Sequence, residues 1–254
     1  MKFTRTVGTM VLAAAAAACG DGTGPGSDGT VSLSFTTDAG GPAAQLSRAG
    51  MLDDTITVGS DVLVITGAQI VLGEIELKRE DDDGCESLGM DDDDGCEEFS
   101  TGMMLVELPL NGQVATEITI APDSGTYDEI DFEIEKPESG GDDEAFLAQH
   151  PDFDGVSIRV QGTFNGEPFT YESDLDVEQE NDIVPPLVIT DTSVGTNVTL
   201  RVDLAAWFRN GAALVDPESA NKGGANEGVV KENIKNSFRA YEDEDRDGDD
   251  SDED

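Results

Sequence analysis

Positive charge is scarce in this chain. Lys and Arg number 14 against 56 Asp and Glu over 254 residues, a formal net charge of −42. Binding nucleic acid requires basic patches that neutralise phosphate, so that class is excluded. Electrostatic docking on an anionic membrane surface is excluded on the same ground. Histidine is scarcer still, because His150 is the only one. A Ser-His-Asp or Cys-His arrangement would have to use it. It lies in AFLAQHPDFDG, an acidic stretch with no nucleophile elbow, and reads as a surface residue. G-x-x-x-x-G-K-S/T does not occur, so the P-loop is missing as well.

Long apolar runs are also lacking. The N-terminal stretch MKFTRTVGTMVLAAAAAA has twelve residues, Val7 to Ala18, in its uncharged core. A bilayer core needs about 20 helical residues, so this run is too short to span it. With Lys2 and Arg5 ahead and small residues behind, residues 1–18 read as an export signal. A plain signal peptide cut at Ala-x-Ala and an Ala-rich helix are the alternatives. Ala16-Ala17-Ala18-Cys19 resembles the lipobox of bacterial lipoproteins. The resemblance implies that Cys19 is lipidated and becomes the first residue of the mature chain. Gly20 in place of Asp implies an outer-membrane anchor, with the protein facing the periplasm or the cell exterior. Residues 19–30, rich in Gly, Asp, Ser and Pro, are then a flexible tether.

Cysteine is limited to three residues. Lipidation of Cys19 leaves Cys85 and Cys96 as an even pair in an oxidising compartment, where a disulfide is expected. It would close a loop of about a dozen residues, worth roughly 3 kcal/mol; two free thiols are the alternative. Two Cys and one His fall short of a zinc ligand set.

Leu, Ile, Val and Phe make up 59 residues, about 23% of the chain. That lies above the roughly 20% below which a highly charged chain stays disordered. Their dominant period is two. Val31, Leu33 and Phe35 alternate with polar residues, and Val62 to Ile65 is apolar on both sides. Val71, Ile75 and Leu77 are expected to share one face. Further stripes are Met104 to Leu110 and Val114 to Ile120. Ile130, Phe132 and Ile134 face in while Glu129, Asp131, Glu133 and Glu135 face out. Asn165-Gly166 between two alternating runs marks a type I′ hairpin. Two more strands are expected at 186–191 and 196–204, the second with Val198, Leu200, Val202 and Leu204 on one face. Trp207 and Phe208 read as core aromatics. About nine strands without intervening helices predict an all-β fold, an antiparallel β-sandwich of Greek-key type. A short helix is expected at 142–149. An amphipathic helix capped by Asn226 is expected over 227–241, with Val230, Ile234, Phe238 and Tyr241 as its stripe and Lys231, Lys235 and Arg239 beside it. The β-sandwich domain is placed at 31–216, a linker and this helix at 217–241, and an acidic tail at 242–254.

LSFTTDAGGPA at 33–43, LVELPLNGQ at 105–113 and SGTYDEIDFEIEK at 124–136 together resemble the bacterial lipoprotein family catalogued as domain of unknown function 4382. The resemblance covers residues 31–210. It implies an exported, β-rich envelope protein without assigned catalytic residues. The acidic insertion at 80–98 and the acidic tail depart from it.

Those two segments hold the candidate metal ligands. Residues 80–98 carry eleven acids in nineteen residues, in a near-repeat of Asp-Gly-Cys-Glu that includes Asp91 and Asp93. The segment reads as a solvated hairpin loop closed by a disulfide, or as a loop ordered by Ca²⁺, which takes six to eight oxygen ligands. In the tail, Asp243, Asp245, Asp247 and Gly248 fit D-x-D-x-D-G, the opening of an EF-hand-type loop, and Asp249 is a further candidate. Alternate carboxylates converge on the ion in such a loop, and the glycine makes the turn. A disordered polyacidic tail is the alternative.

The sequence therefore predicts a non-catalytic, lipid-anchored envelope protein, a binding or structural module with Ca²⁺ as its candidate ligand. A glycan or an envelope protein is the expected partner class. A carboxylate-dependent glycoside hydrolase is the alternative, since paired acids are available everywhere. A third reading makes the acidity an adaptation to salt.

Overall fold

A computed structural model describes residues 30–38, 53–79, 96–100, 102–110, 112–190, 193 and 196–248. Cys19, Cys85, Asp91, Asp93, Asp249 and the Cys96 side chain lie outside the described residues, as do the readings made on them.

The strands follow the period-two stripes. In chain order they are β1 (Val31–Thr37), β2 (Asp54–Val58), β3 (Asp61–Arg79), β4 (Cys96–Ser100), β5 (Met104–Glu107), β6 (Ala115–Ile120) and β7 (Gly125–Ile134). A short helix α1 (Glu144–Leu147) precedes β8 (Ile158–Phe164), β9 (Glu167–Ser173), β10 (Val177–Ile189) and β11 (Thr196–Val202). Then come α2 (Leu204–Trp207), the two-residue strands β12 (Arg209–Asn210) and β13 (Ala213–Leu214), α3 (Glu227–Lys235) and β14 (Phe238–Glu242). The β8–β9 hairpin turns at Asn165 and Gly166, both at positive φ, as the Asn-Gly signal requires.

The all-β class is confirmed. The strands run in the order β6-β1-β11-β14-β10-β7-β3-β8-β9, with β2, β4 and β5 also on β3, in one large sheet curled into a half-barrel. Its inner face holds one core, to which β1 contributes Leu33 and Phe35 and β3 contributes Leu72, Ile75 and Leu77. Trp207 and Phe208 are fully buried in it, as expected. Two pairings correct the purely antiparallel expectation. β1 runs parallel to β11, and β10 meets β14 in parallel at Ile183 and Ala240. Parallel neighbours require a long crossover, and most of the chain separates β1 from β11. The curl is continuous through β10, whose register against β7 shifts between Asp182 and Leu187, around Pro185-Pro186. Such irregularities let one strand turn a corner that two separate sheets would otherwise leave open.

Three local expectations are corrected. The helix expected over 227–241 stops at Lys235, and residues 238–242 form β14, inserted between β11 and β10. Phe238 and Ala240 alternate with the exposed Arg239, so the segment also satisfies period two. A vacant sheet position with neighbours on both sides outweighs a helical stripe. Asn226 occupies the N-cap position, but its side chain donates to Ser219 Oγ at 2.9 Å instead of capping. Val71 does not share a face with Ile75 and Leu77. The β3–β7 register shifts between Gly73 and Ile75, so Ile70 and Leu72 join the main core while Val71 packs with Phe146 and Phe153 outside it.

Candidate functional site

β14 carries the D-x-D-x-D-G segment into the structure. Its ladder continues one residue further, with Asp243 N donating to Asn197 O at 2.9 Å. The chain then turns, with Arg246 at φ 58° and Gly248 at φ 81°. A strand, not the amphipathic helix expected from the sequence, leads into this turn, so it is not the loop of a helix-loop-helix EF-hand.

Asp243 is fully buried. Its carboxylate accepts from Thr199 Oγ1 at 2.7 Å, from Asp247 N at 3.1 Å and from Gly248 N at 3.2 Å. Asp247 N also donates to Asp245 Oδ1 at 3.2 Å. All the donors to Asp243 are neutral. The exposed Asp245 and Asp247 bring their carboxylates in, so that one oxygen from each of the three residues lies within 4.8 Å of the others. Calcium–oxygen distances of about 2.3–2.6 Å place ligands of one ion up to about 5 Å apart, so the three oxygens fit a single Ca²⁺ sphere. Two exposed carboxylates converging on a buried one carry a repulsion that a divalent ion would remove.

Behind Asp243 runs a buried chain of hydrogen bonds that the sequence did not announce. Ser34 Oγ donates to Asn197 Oδ1 at 2.7 Å, Asn197 Nδ2 donates to Thr199 Oγ1 at 2.9 Å, and Thr199 Oγ1 donates to Asp243. Each donor in the chain points toward the carboxylate. Alternation alone places Asn197 and Thr199 on a wet face opposite Val198 and Leu200. The turn covers that face instead, and both residues are fully buried. The alternation of Asn197, Thr199 and Arg201 with Val198, Leu200 and Val202 carries no signal of this burial.

A second acidic feature lies on the outer face of β3, β7 and β10. Like charges stand directly across from one another: Glu178 opposite Glu133, Glu180 opposite Asp131 and Asp182 opposite Glu129. Lys78 enters the face from β3, paired with Asp131 and 3.6 Å from Glu129. Burial raises the pKa of Glu129 and Glu133, and neighbouring carboxylates add to it, Asp131 for the first and Asp176 with Glu74 for the second. Glu135 is pushed up to about 7 by burial and then by Glu133, Asp143, Asp176 and Glu74. It lies over Gly73, where a Cβ would come within 2.2 Å of Glu135 Oε2. The recess lined by Glu74, Glu76, Asp131, Phe132, Glu133 and Glu178 measures about 170 Å³. That is below the roughly 300–1,000 Å³ of small-molecule sites. His150 is partly exposed, its ring tilted against Phe146 at 4.8 Å.

A third cluster is structural. Asp174 binds Lys222 at 2.7 Å and Lys231 at 2.5 Å, and Lys231 also binds Glu227 at 2.7 Å across one turn of α3. The bonds from Lys222 and Lys231 lower the Asp174 pKa to about 2. They tie α3 to the connection between β9 and β10.

No protein-family profile, curated protein or solved structure matches this chain. None of the described helices is long and apolar enough to cross a membrane.

Proposed function

We propose that this chain is a non-catalytic envelope protein, anchored by lipid at Cys19, whose β domain acts as a binding or structural module with a divalent-cation site at residues 243–248. Calcium is the ion that the all-oxygen ligand set suits, since hard carboxylate oxygens favour it over metals that seek nitrogen or sulfur. The observation that carries the reading is the convergence of Asp243, Asp245 and Asp247, with Asp243 buried and held by neutral donors. An incomplete protein ligand set, finished by water, gives an affinity in the 10⁻⁴–10⁻³ M range of extracellular modules.

Isothermal titration of the mature chain with CaCl₂ tests the ion. Heat of binding is expected for the native protein and is expected to vanish in Asp245→Asn/Asp247→Asn, whose altered side chains are exposed. Equal heats in both proteins would remove the site from the account. The anchor has its own test: Cys19→Ser should abolish palmitate labelling and membrane association together.

A further inference from the structure

Strand β1 is buried on both faces. Val31, Leu33 and Phe35 enter the core, as a strand in a curled sheet should. Ser32, Ser34 and Thr36 point the other way, yet none exceeds 5% exposure. The D-x-D-x-D-G turn lies over this outer face. Arg246 Nη2 donates to Ser32 Oγ at 3.3 Å. Gly248 is seated so closely that a Cβ there would lie 3.0 Å from Val114 Cγ2 and 3.1 Å from Thr36 Oγ1. Ser34 reaches Asp243 through Asn197 and Thr199. The turn is itself fixed at Gly248 O, which accepts from Arg201 Nη2 at 2.9 Å and from Tyr241 Oη at 2.7 Å. Residues 243–248 thus touch Ser32 and Thr36 on β1 and Val114 just ahead of β6, while their anchors come from β11 and β14.

We propose that this turn is a clasp that holds β1, with β6 paired on its far side, onto β11, and that releasing it lets β1 and β6 open as a unit while the rest of the sheet stays folded. The strand order supports this division. β6 and β1 form one end of the path, so separating β1 from β11 breaks a single ladder. Val31, Leu33 and Phe35 hold the inner face of β1 in the core and its ladder joins it to β11, while the polar outer face is held by the turn's hydrogen bonds and the close seat of Gly248. The clasp does not depend on a bound cation. On the anchored reading above, on which this step alone rests, β1 is also the strand that takes load from the tether at 19–30.

Amide hydrogen exchange on the mature chain, kept in EDTA throughout, tests the clasp and leaves the cation reading aside. Gly248→Val places a branched side chain at positive φ against Thr36 and Val114 and should unseat the turn. Arg246→Ala removes only the bond to Ser32. Exchange at 31–37 and 115–120 is expected to rise at least tenfold in the first variant and severalfold in the second, with 158–173 unchanged in both. A uniform rise across the sheet, or no rise at 31–37, would overturn the proposal. Should Gly248→Val fail to fold, Arg246→Ala decides by the same criterion.

Discussion

Replacing Glu135 by Gln should stabilise the protein at pH 8. Burial and four neighbouring acids hold the Glu135 carboxyl at about 7 instead of its ordinary 4.5. The folded chain therefore binds this proton more tightly than the unfolded chain does. Ionising Glu135 destabilises the fold in full above pH 7, and the penalty fades as pH falls toward 4.5. At about 1.4 kcal/mol per pH unit, a fully shielded group would account for about 3 kcal/mol. Glu135 is only half-buried, and solvent screening reduces this to about 1 kcal/mol. Glu135→Gln keeps the side-chain volume over Gly73 and removes the charge. For a domain of this size the gain at pH 8 corresponds to a rise in Tm of about 2–4 °C. Thermal unfolding of both proteins from pH 8.5 to 4.5 is the assay, in 20 mM and 500 mM NaCl. The native protein should gain stability as the pH falls from 8 to 5, and the two curves should converge near pH 4.5. The gap at pH 8 should narrow in high salt, because the Debye length shortens. A native protein equally stable at pH 8 and pH 5, or a variant no more stable at pH 8, would refute the reasoning.

Three more perturbations probe the frame. Asp174→Asn removes the anion shared by Lys222 and Lys231 and should cost about 1–2 kcal/mol at pH 7 by urea unfolding. Because the Asp174 pKa is lowered to about 2, its contribution in the native protein is present above pH 4 and lost as pH falls through about 2. Trp207→Ala empties a fully buried site and breaks the 2.8 Å bond from Nε1 to Ser237 Oγ, for a loss of about 3–5 kcal/mol measured by circular dichroism. Gly162→Ala would put a Cβ 1.9 Å from Val64 O on the paired strand, and since that atom is backbone the ladder must shift, at about 1–3 kcal/mol in denaturant melts.

Where one principle acted alone, the sequence carried the fold. Asn165-Gly166 marked the hairpin because its turn demands two positive φ values, and Ile130, Phe132 and Ile134 marked β7 because one face is buried and the other is acidic. Where two principles competed, the pattern was silent on the winner. Residues 238–241 satisfy both a helical stripe and a strand, and only the open position between β11 and β10 decides. The bulge at Gly73 moved Val71 to the other face without any signal in the alternation. The parallel pairing of β1 with β11 joins segments more than 150 residues apart, beyond the reach of local pattern. The candidate site divides in the same way. The D-x-D-x-D-G spacing was visible as a motif. The burial of Asp243 and its chain through Thr199, Asn197 and Ser34 was not, because it depends on the turn folding back over a face that alternation assigns to solvent.

The cation reading is tested most directly by the melting temperature of the mature chain in 10 mM CaCl₂ against EDTA at matched ionic strength. With a dissociation constant near 1 mM, tenfold excess stabilises by about 1.4 kcal/mol. That is a rise in Tm of about 3–6 °C. The rise is expected in the native protein and absent in Asp245→Asn/Asp247→Asn. No rise in the native protein, or the same rise in both, would contradict a calcium site at residues 243–248.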